Sequence, residues 1–169
     1  MSSYETEKEN LKKIAQYLEK EKVSYKWEDL SFYSGEKWPA IKTTYIYKDT
    51  KHTHKDYGFD LLIGNSEDWF EMKCLVLKTD QLTKDLRYDI YEWCLSLNFE
   101  LWETTFSAFF EQIFVESDMP LNISYEDFKY ELQALKKGID LFIELVIQKA
   151  CELSDTAGKL DVKKLKKRK

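Results

Sequence analysis

The chain has 169 residues, 43% of them hydrophobic and 15% aromatic, with only 5 Gly and 2 Pro and a formal charge of −5. That much apolar side chain offsets ordering entropy, which excludes a disordered, collagenous or linker-dominated protein. No window approaches 18 uninterrupted apolar residues, which excludes a membrane-spanning helix, and the charged opening segment lacks the apolar core of a signal peptide.

Leu11, Ile14, Ala15 and Leu18 recur at helical spacing and predict an N-terminal helix over Glu5–Glu21. The β-branched and aromatic run that follows predicts a strand over Val23–Trp27, continued by Leu30–Tyr33, and a second over Ala40–Lys48. After the polar connection DTKHTHKDYG, a hairpin is predicted from Phe59–Ile63 through GNSED to Trp69–Lys78. In the return strand Phe70, Met72, Cys74 and Val76 share one face and Trp69, Glu71, Lys73, Leu75 and Leu77 the other. One core-like and one mixed face are what a sheet covered by helices on one side requires.

Leu82, Leu86, Ile90, Trp93, Cys94 and Leu97 predict a helix over Gln81–Asn98. Two strands are expected next, Phe99–Thr104 and Ser107–Val115, with no Gly or Pro to mark the joint. Ser124 and Asp127 form a capping box for a long helix reaching Glu152, in which Gly138 is the one weak position. Consecutive strands without alternating helices give an α+β fold. The expected order is an N-terminal helix, an antiparallel sheet of five to six strands with a helix inserted before the last two, and a long C-terminal helix. Residues 1–153 read as one domain and residues 154–169 as a basic tail.

That tail concentrates charge. Residues 159–169 hold seven basic residues against Asp161 alone, or +6, which leaves −11 on residues 1–158. Lys163, Lys164, Lys166, Lys167, Arg168 and Lys169 are the place where RNA or DNA would feel attraction, whereas the body repels it. Only 2 of the 26 basic residues are Arg, and Arg87 alone lies outside the tail, so the body lacks the forked cation of phosphate and base readout.

The order of elements, with patches such as LKKIAQYLEKEKVSYKWED and FVESDMPLNISYEDFKYELQALKKGIDLFIELV, resembles the type III secretion chaperone-like fold. YbjN-like families and archaeal relatives of unknown function share that fold. The resemblance spans roughly residues 5–150 and implies a protein-binding domain, often a homodimer, without cofactor or catalytic residues.

Catalytic equipment is sparse. There is no GxSxG, GxxxxGK[ST] or GxGxxG, and the paired carboxylates belong to a chain with 31 of them, so the expectation is no enzyme and no cofactor. His52 and His54 with Asp49 and Asp56 form the only arrangement resembling a metal site, but a solvated loop explains them better and no metal is expected. Cys74, Cys94 and Cys151 are odd in number and widely spaced, as small hydrophobes in a reducing cytoplasm. The aromatic residues Tyr25, Trp27, Trp38, Tyr45 and Tyr47, with Trp69 and Trp102, are too dense to be all interior and form the candidate surface for a protein partner or a second copy. The functional expectation is therefore a non-enzymatic, self-associating binding module of chaperone or adaptor type. The alternatives are an accessory protein of a nucleoprotein particle held by the tail, and an acidic inhibitor or immunity-type protein.

Overall fold

The computed structural model describes residues 3–31, 37–49, 56–66 and 68–157. Helix α1 (Ser3–Lys20) is followed by strands β1 (Tyr25–Ser31), β2 (Lys37–Lys48), β3 (Asp56–Ser66) and β4 (Trp69–Lys78). Helix α2 (Lys84–Leu97) precedes β5 (Thr105–Phe109) and β6 (Gln112–Pro120). The chain closes with α3 (Tyr125–Leu141), a π-helical segment (Phe142–Ile147) and α4 (Gln148–Ala157). The strands form one antiparallel sheet in the order β1-β2-β3-β4-β6-β5. The α+β architecture predicted from the sequence is thus observed, with the helix inserted before the last two strands.

Strand alternation decides what lies where. Ile41, Leu61, Ile63, Phe70, Met72, Cys74, Ile113, Val115 and Met119 project to one side and are buried beneath Leu11, Ile14 and Leu18 of α1 and Phe128, Leu132, Leu135 and Ile139 of α3. Ile90, Cys94 and Leu97 of α2 join the same core through Phe106 and Phe142. Each fully buried Leu, Ile or Phe of this set contributes roughly 1.5–3 kcal/mol of transfer free energy. No described helix covers the opposite face of the sheet. In β4 the alternation slips: a bulge between Leu75 and Leu77 turns both Val76 and Leu77 inward. Leu77 was expected on the mixed face, and the extra residue of the bulge is why it is buried.

The segment 99–104, expected as a strand, is instead an irregular connection. Asn98 explains the change: its side chain accepts from the Phe106 N–H at 2.6 Å and donates to the Phe106 carbonyl at 3.0 Å. The amide thereby stands where a neighbouring strand would pair. The true hairpin joins β5 to β6 through Phe110 and Glu111, both with positive φ (44° and 58°). Two left-handed residues are what a tight right-twisted hairpin needs, but the usual Asn-Gly signal is missing. The first strand is continuous through Tyr25–Ser31, where two pieces had been expected.

Thr83 caps α2, accepting from the Leu86 N–H, and Ser124 caps α3, accepting from the Asp127 N–H at 3.2 Å while donating to the Asp127 carboxylate at 2.7 Å. Gly138 is explained by packing. A Cβ there would lie 2.9 Å from Val115 Cγ1, and Val115 is fully buried. In an open helix, Gly→Ala would stabilise by about 1 kcal/mol. Here the expected outcome of Gly138→Ala is a net loss of about 1–2 kcal/mol, because overpacking outweighs the propensity gain. Denaturant unfolding measures it, and a gain in midpoint would show that α3 can lift off β6.

Candidate functional site

The seven aromatic residues singled out from the sequence fall in three places. Tyr25, Trp27, Tyr45 and Tyr47 lie on the helix-covered side of the sheet. The Tyr45 hydroxyl donates to Asp140 of α3 at 2.7 Å, the Tyr47 hydroxyl to Glu144 at 3.5 Å and the Tyr25 hydroxyl to Glu19 of α1 at 2.8 Å. These hydroxyls latch the strands to the helices, and Tyr47, 7% exposed, presents almost nothing to a partner. Burial, and then the bond to Asp140, pushes the Tyr45 hydroxyl far above the ordinary tyrosine range. Trp27 sits half-exposed at the β1 rim, with the Lys8 ammonium 6.0 Å from its ring centre.

Trp38 and Trp69 lie on the opposite, helix-free face. Charges dominate the described part of that face and are paired within it: Lys26 with Glu28 at 2.7 Å, Lys42 with Asp60 at 2.6 Å, and Lys73 with Glu71 at 2.9 Å. Such ladders keep a half-bare sheet solvated.

Trp102 is different. It is 92% exposed in the connection after α2, before the Thr105 end of β5, whereas Phe109 and Phe110 stand at the other end of that strand. Tyr88 and Leu95 on the outer side of α2, then Phe99, Trp102, Phe109 and Phe110, are all between 60% and 92% exposed. The sequence reading missed Phe99, Phe109 and Phe110 as surface residues because it placed them inside strands. Arg87 anchors this region by an ion pair to Glu111, and the Thr79 N–H donates to the Glu111 carbonyl at 2.7 Å. Phe109 and Phe110 stack edge to face with ring centres 4.3 Å apart at the hairpin tip.

Trp102 also borders a cleft of about 420 Å³ lined by Glu71, Lys73, Glu103, Glu116, Asp118 and Glu131 among others. Burial raises the Glu131 and Asp118 carboxyls above their ordinary range, with Glu103 adding to the first and Glu71 to the second, while the Ser117 hydroxyl donates to Glu131 and partly offsets its shift. Burial acts to lower Lys73, but its bonds to Glu71 and Glu116 outweigh that and raise it. An aromatic wall beside carboxylates is suited to a cationic side chain.

Burial pushes the Cys74 and Cys94 thiols up to about 12, so both behave as small hydrophobes. Among the described residues no group of His, Cys, Asp and Glu is arranged to hold a metal ion. His52 and His54 lie outside the described residues, as do Lys163, Lys164, Lys166, Lys167, Arg168 and Lys169. No described helix is long and apolar enough to cross a membrane. No protein-family model matches the chain, and no curated protein matches it either.

Because Glu131 has a raised folded pKa, the folded state holds its proton more tightly than the unfolded state does. Its charge therefore destabilises the fold increasingly as pH rises from the unfolded carboxylate pKa to the folded one, and by a constant amount above that. Glu131→Gln should raise the melting temperature at neutral pH, and the gain should vanish near pH 4. A gain that is the same at both pH values would mean that the charge carries no such penalty.

Proposed function

We propose that the protein is a non-enzymatic binding module that engages a protein partner through the surface formed by α2, the 99–104 connection and the β5–β6 hairpin. The observation that carries this reading is Phe110. Its φ of 44° is disfavoured for a side chain with a Cβ, and the ring, which touches Phe109, is 81% exposed, so neither backbone preference nor burial in the core accounts for phenylalanine there. Residues that violate local rules without structural return concentrate at functional sites. The tip is also held still by Glu111, through Arg87 and Thr79, so a partner meets a preorganised aromatic pair.

The resemblance to chaperone-like folds supports the same class of function, and the compartment we propose is the cytoplasm. Trp102 remains in the proposed surface. Tyr25, Tyr45 and Tyr47 leave it, since their hydroxyls already hold the layers together.

Phe110→Asn separates stability from binding. Asn tolerates the left-handed conformation, so the variant should be about 1 kcal/mol more stable. As the loss of an exposed aromatic anchor, it should weaken partner capture from a native lysate at least tenfold. Trp102→Ser should weaken capture without the stability gain. Capture unchanged in both variants would remove this surface from consideration.

Two further readings each rest on one feature. The acidic cleft favours an inhibitor or immunity-type protein covering a basic target. The +6 tail favours an accessory protein of a nucleoprotein particle. For the second, RNA capture by the full chain should fall with salt, with a logarithmic slope of roughly −5 for seven cations on a single strand, and should disappear in a 1–158 truncation. Equal capture by both forms at every salt concentration would exclude it.

A further inference from the structure

The two edges of the sheet are treated differently. At β5 the Asn98 amide occupies both backbone groups of Phe106, which blunts that edge. At the other end β1 pairs only with β2 among the described residues, so every second residue turns its N–H and C=O outward along a seven-residue strand. We infer that β1 is a self-pairing edge, joining antiparallel to β1 of a second copy about a two-fold axis through Trp27. This rests on the binding-module reading and names a second copy as one partner, on the edge opposite the Phe110 surface.

Charge complementarity selects the register. With the axis at Trp27, and both helical layers on the same side of the joined sheet, Lys26 stands opposite Glu28 of the second copy, and Glu28 opposite its Lys26. Trp27, 39% exposed at the rim, stands opposite its own counterpart as an aromatic cross-strand pair. Moving the axis one residue toward the C-terminus sets Glu28 against Glu28, and one residue toward the N-terminus sets Lys26 against Lys26. Like charges directly opposite are destabilising, so of these three registers the central one avoids conflict and adds two attractive pairs. The same Lys26 and Glu28 already pair within the strand at 2.7 Å, so joining exchanges an existing ion pair for equivalent ones across the axis. A pair of seven-residue strands falls short of the roughly 1,200 Å² of a standard stable interface, which sets the expected dissociation constant in the micromolar range.

Sedimentation across the micromolar range, on the full chain, tests this. Wild type should dimerise. Lys26→Glu and Glu28→Lys should each weaken the dimer roughly tenfold, since two attractive pairs become repulsive, and the double exchange should restore it. In a Cys151→Ser background, mild oxidation should cross-link Trp27→Cys to itself, but not Lys26→Cys or Glu28→Cys, whose counterparts are displaced along the strands. A monomer throughout, a double exchange no better than the single variants, or equal cross-linking at all three positions would overturn the inference. Retained partner capture by the Lys26→Glu variant would confine that failure to self-pairing, whereas loss of capture in Phe110→Asn alone speaks to the other surface.

Discussion

The seat of α3 on β6 at Gly138 sets the spacing of the two layers. With no side chain at that position, the helix backbone lies directly over Val115 on β6, one strand in from the β5 edge of the sheet. That close approach lets Phe142, at the start of the π-helical segment, reach Phe106 of β5, with ring centres 5.9 Å apart. It also brings Asp140 and Glu144 within reach of Tyr45 and Tyr47 on the far side. A larger side chain at 138 would separate every one of these contacts, because a packed core transmits displacement instead of absorbing it.

Placing all described helices on one side has a consequence for the surface. The bare face of the sheet is kept wet by its own ion pairs, and the rim aromatics of β2 are tied to helix carboxylates. Apolar surface is left where the last hairpin and α2 project beyond the core. There the chain holds Phe110 in a conformation that phenylalanine does not favour, fixed by a neighbouring ion pair. The acidic cleft near Trp102 adds a second chemical character to the same end of the 99–104 connection.

Much of the fold was legible in the chain because the relevant signals are local. The apolar stripe of α1, the alternation of Trp69–Leu75 and the Ser124 cap each depend on neighbours within a few residues, so periodicity and capping locate them. The end of the sheet was read less well. Phe99–Thr104 has the composition of a strand, yet Asn98 already fills the hydrogen-bonding positions beside Phe106. The hairpin at Phe110 and Glu111 has no glycine or asparagine to announce it, since its left-handed backbone is imposed by the pairing of β5 with β6.

The candidate surface divides along the same line. By itself the sequence determined that the chain forms an α+β sheet with helices to one side, that its charge is split between body and tail, and that aromatic residues outnumber the places a core can hold them. Only the tertiary structure decided which aromatics stay outside. Tyr45 and Tyr47 look as available in sequence as Phe109 and Phe110. The first pair is claimed by carboxylates roughly a hundred residues away, and the second is carried on a tip that nothing covers among the described residues. Exposure is a property of what packs across a residue from elsewhere in the chain, and no local pattern encodes it.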